Sequence, residues 1–184
     1  TTSLKGDDYG YGYNFGIHAV LDENTSAGVV YRSKVKYKID DGTLTTTGIG
    51  GPGGIGGAGT YTAATGLSTP EGVELALTHK LNAKNTIHAG AAWTRWSRFK
   101  ELSVQTSNPL IGTTVETFNW KDSVGYSVGM THAVCDKLEL RAGLAYDNSP
   151  VAPSDRGVRL PRADRRIASI GAGYKLSPSQ TIDA

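Results

Sequence analysis

The sequence predicts an all-β protein: an antiparallel, up-and-down transmembrane β-barrel, present in part. Three observations point there. Side chains alternate with period two through most of the 184 residues, the spacing of strands with two unlike faces. Short polar turns alternate with long loops rich in Gly, Pro, Thr, Ser and Asn, as in barrels with short turns at one end and longer loops at the other. The alternating runs are also long. A tilted strand needs about 9–11 residues to cross a bilayer, against about 5–6 in an ordinary soluble strand.

Composition narrows the classes further. Only 38% of residues are hydrophobic, and no run approaches the roughly 20 apolar residues of a membrane-spanning helix. The 24 Gly and 9 Tyr against 1 Met suit strands and tight turns. With 19 Lys+Arg against 17 Asp+Glu, no concentrated basic surface of the kind that binds nucleic acid is expected. The alternating cations Arg32, Lys34, Lys36 and Lys38 share one strand face, either as a solvated surface or as a site for an acidic ligand. Cys135 stands alone, with no metal-spaced partners. Thr1-Thr2-Ser3-Leu4-Lys5 lacks the basic and apolar regions of a signal peptide. For an exported protein, such a signal would be removed or lie upstream.

The elements follow in order. Tyr9, Tyr11, Tyr13, Phe15, Ile17, Ala19 and Leu21 alternate with Asp8, Gly10, Gly12, Asn14, Gly16 and His18. After the turn Asp22–Thr25, Val29, Tyr31, Val35, Tyr37 and Ile39 return. A second hairpin joins Val73, Leu75, Leu77 and Leu81 to Ile87, Ala89, Ala91 and Trp93 through Asn82–Asn85. Beyond Trp93 the phase slips, and a bulge near Thr94–Trp96 would do this. A third hairpin pairs Trp120, Val124, Tyr126, Val128 and Met130 with Leu138, Leu140, Ala142, Leu144 and Tyr146 around Cys135–Lys137. A last full strand carries Ala168, Ile170, Ala172, Tyr174 and Leu176, and Thr181–Ala184 begins another that stops almost at once. The long connections are 40–70, 105–117 and 147–165.

The polar face mixes Gly125, Ser127, Gly129, Thr131, Glu139, Arg141, Gly143, Ser169, Gly171 and Gly173. It suits a wet or ligand-holding lumen, with the Val/Leu/Tyr set toward lipid and Tyr and Trp as interface girdles. An eight-stranded soluble barrel with its apolar face inside is the alternative. Seven full strands and a stub do not close an even-numbered barrel, so the chain is expected to be part of a longer protein.

Ordered along the chain are Gly6-Asp7-Asp8-Tyr9-Gly10-Tyr11-Gly12-Tyr13-Asn14, Val30-Tyr31-Arg32-Ser33-Lys34-Val35 and Trp93-Thr94-Arg95-Trp96-Ser97-Arg98-Phe99-Lys100. Then come Asn119-Trp120-Lys121-Asp122, Ala145-Tyr146-Asp147-Asn148-Ser149-Pro150-Val151 and Leu160-Pro161-Arg162-Ala163-Asp164-Arg165. In this order and at hairpin spacing, the series closely resembles the long-chain fatty acid transporters of Gram-negative outer membranes. That family includes channels for aromatic hydrocarbons such as toluene. The resemblance covers essentially the whole chain. It implies a fourteen-stranded barrel plugged by an N-terminal hatch, with residues 1–184 as a single C-terminal portion and the hatch and early strands absent.

What the resemblance implies for function is passive uptake of a hydrophobic small molecule, a fatty acid or aromatic hydrocarbon, across the outer membrane. No ATP motif, cofactor or metal is expected, and no enzyme activity. The expected partners are the hydrophobic substrate, outer-membrane lipid and the missing strands of the full-length barrel, with no nucleic acid. A structural or adhesive barrel, or a soluble carrier of a hydrophobic ligand, are the alternatives. Candidate substrate contacts are Trp96, Arg98, Phe99, Lys100, Glu116, Trp120, Asp147, Arg162 and Arg165. Family members that carry fatty acids place a basic residue shortly before the Trp-Lys-Asp segment to hold the carboxylate. Glu116 stands about there, which favours an uncharged hydrocarbon. Trp96 and Phe99 either line a capture site or anchor the rim in the lipid interface. Asp147, Arg162, Asp164 and Arg165 either brace the loops or line the path.

Other chemistry fails on pattern. Gly48–Gly59 lacks the Lys-Ser/Thr and the following helix of a phosphate loop and reads as an outer loop. His18, His79, His88 and His132 have no metal spacing and read as structural or lumen-lining. His18, His88 and His132 are placed to reach lumenal serines.

Overall fold

Regular alternation becomes strand over most of its length, but residues 6–13, with Tyr9, Tyr11 and Tyr13, lie outside any strand, as do residues 33–35. A computed structural model describes residues 2–47, 58–109, 111–152 and 163–184. Its strands, in order, are β1 Thr2–Lys5, β2 Asn14–Val20, β3 Thr25–Arg32, β4 Lys36–Thr46, β5 Gly59–Ser68, β6 Gly72–Lys80 and β7 Asn85–Thr94. They continue as β8 Glu101–Thr106, β9 Thr113–Thr117, β10 Ser123–Cys135, β11 Leu138–Asp147, β12 Arg165–Ser177 and β13 Gln180–Asp183.

These strands form two antiparallel sheets. The wall sheet runs β13-β12-β11-β10-β7-β6-β3-β2, and a rim sheet runs β1-β4-β5-β8-β9. The long strands of the wall are the seven read from alternation, and β13 is the expected stub. The rim sheet repeats part of the wall order because its strands are continuations. β1 leads into β2, β4 leaves β3, β5 leads into β6, β8 leaves β7, and β9 leads into β10. The partial barrel wall thus extends past a line of breaks at its long-loop end.

At the breaks the backbone ladder stops and side chains take over as acceptors, as buried backbone donors require. Tyr13 N–H donates to Ser33 Oγ at 2.8 Å and Val35 N–H to Thr69 Oγ1 at 2.9 Å. Ser97 N–H donates to Asp122 Oδ1 at 3.0 Å, and Ser149 N–H to Asp164 Oδ1 at 2.8 Å. Val124 N–H donates to Asn148 Oδ1 at 2.5 Å. Short polar residues therefore hold the wall to the rim. At the other end the turns are tight. Leu21 N–H reaches Thr25 O and Leu81 N–H reaches Asn85 O, both at 2.9 Å, and Asp22 and Asn82 close each loop by accepting from Asn24 and Lys84 N–H.

Strand register sorts the wall into two faces. Gly28, Ala76, Gly90, Ser127 and Ala145 are successive cross-strand partners. Thr78, His88, Gly129, Gly143 and Ser169 form the next row. On the opposite face Ala27, Leu77, Ala89, Val128 and Leu144 are in register. That apolar face is open: Ile170 is 92%, Leu144 62% and Leu75 52% exposed. The buried hydrophobics among the described residues are only Leu44, Ala63 and Val151. An apolar surface this broad is the mark of contact with another apolar phase, and it counts against the soluble barrel, which would turn these side chains inward.

The structure corrects several expectations. Connections 40–70 and 105–117 are not simple loops, because they hold most of β4, all of β5 and β9, and the end of β8. Connection 147–165 has no strand among its described residues before Arg165, apart from Asp147 at the end of β11. Gly48–Gly59 falls almost wholly outside the described residues. The slip after Trp93 is made by a single 3-10 turn, Trp96–Arg98, rather than a bulge. Bulges occur instead at Ile39/Gly42, Ala133/Cys135 and Lys175/Ser177. His79 and His132 lie on the apolar face near the short turns, with His79 Nδ1 2.9 Å from Thr25 Oγ1 and His132 Nδ1 2.7 Å from Asn85 Oδ1. His132 is therefore not positioned to reach the serines of the other face.

Gly42 shows how tightly the rim sheet packs. A Cβ there would stand 2.8 Å from Ala63 O and 3.3 Å from Lys5 O, both backbone atoms that cannot rotate away. Gly42→Ala is expected to destabilise the rim by roughly 1–3 kcal/mol, as overpacking does. Denaturant titration of the folded barrel in detergent would show it as a lowered midpoint.

Candidate substrate path

The break after β7 builds an aromatic cluster. The turn Trp96–Arg98 closes with Phe99 N–H donating to Trp96 O at 2.8 Å. Opposite it, Phe118 N–H donates to Lys100 O at 2.7 Å. Asn119 adopts a left-handed φ of 48°, which Asn tolerates better than most residues. Four rings meet. Trp96 and Trp120 are 5.1 Å apart, Phe99 and Trp120 4.8 Å, Phe99 and Phe118 4.8 Å, and Phe118 and Trp120 5.5 Å between centroids. These spacings fall in the favourable range for offset and edge-on ring pairs. All four rings are half-buried.

Trp96 also lines a cavity of about 530 Å³ together with Glu74, Thr94, Ser123, Gly125 and Asp147. Those five residues belong to the Gly/Ser face, since Gly125 pairs with Ala92 and Asp147, and Ala92 with Glu74. The aromatic cluster therefore opens onto the polar face, not only toward the lipid side. Below it, a cavity of about 920 Å³ lies over the rows of small residues, lined by His88, Ser127, Thr131, Arg141 and Ser169. His88 Nδ1 and Nε2 each lie 3.2 Å from a threonine hydroxyl, Thr78 and Thr131. At the short-turn end Arg141 pairs with Glu139 and, at 2.9 Å, with Asp183. This face is thus aromatic at its top, nearly free of bulk in its middle, and charged at its base.

Glycine makes the middle roomy. A Cβ at Gly90 would come within 2.7 Å of Ser127 Oγ, and one at Gly143 within 3.1 Å of Ser169 Oγ. Bulk at these rows would occupy the face itself.

The nine candidate contacts do not gather in one place; the structure divides them. Trp96, Phe99 and Trp120 come together in the cluster. Asp147 lines the cavity beside Trp96 and receives Arg165 Nε at 3.2 Å, and the two are register partners. Arg98 and Lys100 line a separate polar cavity. Glu116 is exposed in β9, opposite Leu102. Arg162 lies outside the described residues. Two further residues belong to the site without being singled out by motif or alternation. Phe118 completes the cluster, and its place two residues before Trp120 was the available signal. Glu71 carries no such signal, because its partners come from the distant end of β7 and the turn after it.

Glu71 ties that turn down. Arg95 Nη1 and Arg98 Nη2 each donate to its Oε1 at 2.9 Å. Hydrogen bonds from Arg98, then Arg95, hold the Glu71 carboxyl below its ordinary 4.5. At Asp122 burial pushes the carboxyl up, but hydrogen bonds from Ser97 and Trp93 and the nearby Arg95 charge together outweigh it, and the net direction is down. A depressed carboxylate contributes stability that is complete above its unfolded value and is lost as pH falls through its folded value. The turn should therefore hold above pH 4.5 and loosen on stronger acidification. Tryptophan fluorescence of the full-length barrel should report this, and Glu71→Gln should shrink the acid-induced change.

Comparison with known proteins agrees with this architecture. Residues 1–184 match the family described as outer membrane protein transport protein (OMPP1/FadL/TodX). The chain is 31% identical to the 47 kDa outer membrane protein of Pasteurella multocida, covering 100% of this chain and 44% of that protein. It is 31% identical to the long-chain fatty acid transport protein of Escherichia coli K12, covering 98% and 42%. Among solved structures, a Pseudomonas aeruginosa FadL homologue superposes with a TM-score of 0.76 at 25% identity, over 94% of this chain and 41% of that one. The Ralstonia pickettii toluene transporter TbuX shares the fold, with a TM-score of 0.65 at 16% identity, over 99% and 44%. The chain spans less than half the length of these relatives. With its whole length matched, and an open wall of barrel strands to carry it, the chain belongs to the FadL/TodX family of Gram-negative outer-membrane transport proteins.

Proposed function

We propose that this chain forms the C-terminal part of a passive uptake channel for hydrophobic small molecules. Further strands of a longer protein would pair with the open edges at β2 and β13, which otherwise expose unsatisfied backbone. The observation that carries the reading is the combination of an aromatic cluster with rows of Gly, Ala and Ser beneath it. Ligand pockets are largely apolar with a few placed polar groups, and small residues leave the room. Trp96, Phe99 and Trp120 would collect the molecule at the rim, with Asp147 and Arg165 bracing the entrance. Arg98 and Lys100 line a separate cavity and are assigned no contact with it.

The names of relatives bracket the cargo: long-chain fatty acid in one case, toluene in another. Glu74 and Asp147 line the cavity that Trp96 enters, a poor environment for a carboxylate, which favours an uncharged hydrocarbon. Movement would follow the gradient.

Uptake of labelled toluene and oleate by cells with and without the full-length protein tests the proposal. Faster uptake with the protein, toluene above oleate, is the expected result. Equal uptake with and without it would leave a structural or adhesive barrel.

A further inference from the structure

We propose that a cation-lined cavity, set in a gap of the wall, binds a phosphate group carried by a soluble anion or by a lipid headgroup. The gap follows from register. At the end of the β6–β7 ladder Arg95 N–H donates to Glu71 O at 2.9 Å. The next pairing between the same two stretches of chain is Thr65 with Val104, in the β5–β8 ladder. There Thr65 Oγ1 also donates to Ser103 O at 2.9 Å. In between, residues 66–70 face the longer stretch 96–103, and no backbone hydrogen bond joins the two. The turn Trp96–Arg98 takes up part of the excess. On their other flank residues 66–70 stay paired. Arg32 is the partner of Gly72, Thr69 N–H donates to Val35 O at 2.8 Å, and Lys36 is the partner of Ser68.

A cavity of about 480 Å³ takes its lining from both edges of this gap. Lys34, Lys36 and Ser68 come from one edge, and Arg95, Ser97, Arg98 and Lys100 from the other. Lys34 and Lys36 continue the row of Arg32 and Gly72 on the Gly/Ser face, whereas Arg95 continues the row of Val73 and Trp93 on the apolar face. Cations from both faces therefore converge where the ladder is missing. No acidic residue lines the cavity. Glu71 engages Arg95 and Arg98 through one oxygen, Oε1, at 2.9 Å in each case, a single negative charge beside five positive ones. Among the described residues Lys34, Lys36 and Lys100 have no ion pair. A guanidinium carries five N–H donors, so both arginines keep donors for a second acceptor. Several cations with two hydroxyl groups match an anion that is small, oxygen-rich and multiply charged, and arginine and lysine both suit phosphate. A bound phosphate ties the lysines of one edge to the arginines of the other, across a gap that the backbone leaves unbridged.

The test is calorimetric titration of the full-length protein in neutral detergent at fixed ionic strength. The probes are pyrophosphate, diphosphorylated lipid A, enzymatically dephosphorylated lipid A, acetate and oleate. Pyrophosphate should bind at least tenfold more tightly than acetate, or diphosphorylated lipid A at least tenfold more tightly than its dephosphorylated form. Both results support the site: the first assigns it to a soluble anion, and the second without the first assigns it to a headgroup. A hydrogen bond to a charged group is worth about tenfold in affinity. K34Q/K36Q should therefore weaken binding tenfold or more, and K34R/K36R, which keeps the charges, should retain it. The proposal is overturned if neither phosphate compound shows the tenfold preference, or if K34Q/K36Q binds as well as the unaltered protein. Displacement of the bound phosphate compound by equimolar oleate would assign the cavity to the transported molecule and also overturn it.

Discussion

Gly125→Trp in the full-length protein is expected to cut uptake of toluene and oleate by tenfold or more, without reducing the amount of folded barrel. Gly125 sits where the aromatic cluster gives way to the path, lining the cavity that Trp96 enters. A Cβ there would meet only Tyr146 O at 3.6 Å and Asp147 Oδ1 at 3.9 Å, both ordinary contacts. The strand can therefore carry a side chain, and the cost falls on whatever shares the cavity. Overpacking costs about 1–3 kcal/mol, or about 5- to 150-fold in occupancy. Gly125→Ala should pass nearly unnoticed. Tyr126→Trp, one residue on and across the wall, should leave uptake unchanged. Initial rates over a range of substrate concentrations would check all three.

Trp120→Ala should raise the concentration giving half-maximal uptake by about tenfold or more. Trp120 touches three other rings, at 5.1, 4.8 and 5.5 Å between centroids. Each such pair is worth about 0.5–1.5 kcal/mol beyond area burial, so its removal dissolves the cluster rather than trimming it. A rim that only anchors in lipid would behave differently. There, Trp120→Ala would lower the folded barrel's thermal stability or its level in the membrane and leave the concentration dependence alone. Measuring both on the same cells separates capture from anchoring.

The wall was legible because its chemistry repeats every second residue. Val128 and Leu144 against Ser127 and Gly143 need no tertiary information, and the tight turns at Asp22 and Asn82 announce themselves. The rim sheet was not legible for the opposite reason. Thr43, Leu44, Thr45 and Thr46, or Thr60 to Thr65, carry little contrast between faces, so they read as loop although Thr favours strands. The polar acceptors at the breaks were equally hidden, since Ser33, Thr69 and Asn148 look like ordinary turn residues until their backbone donors are placed. The candidate site fared similarly. Adjacent aromatics announced Trp96, Phe99 and Trp120, but the division that sends Trp96 to one cavity and Arg98 to another depends on the 3-10 turn. Glu71 and the basic cavity needed strands distant in sequence to meet.

A transport role for the Gly/Ser rows requires that the moving molecule follow that face of the wall and not the apolar one. Cysteine placed at Ser127 or at Val128, in a full-length Cys135→Ser background, tests this directly through uptake before and after treatment with a bulky, membrane-impermeant maleimide. Ser127→Cys should react, and toluene uptake should then fall. Val128→Cys should stay unlabelled, with uptake unaffected. Labelling at position 128 but not 127, or a labelled position 127 with unchanged uptake, would contradict a path along the Gly/Ser face.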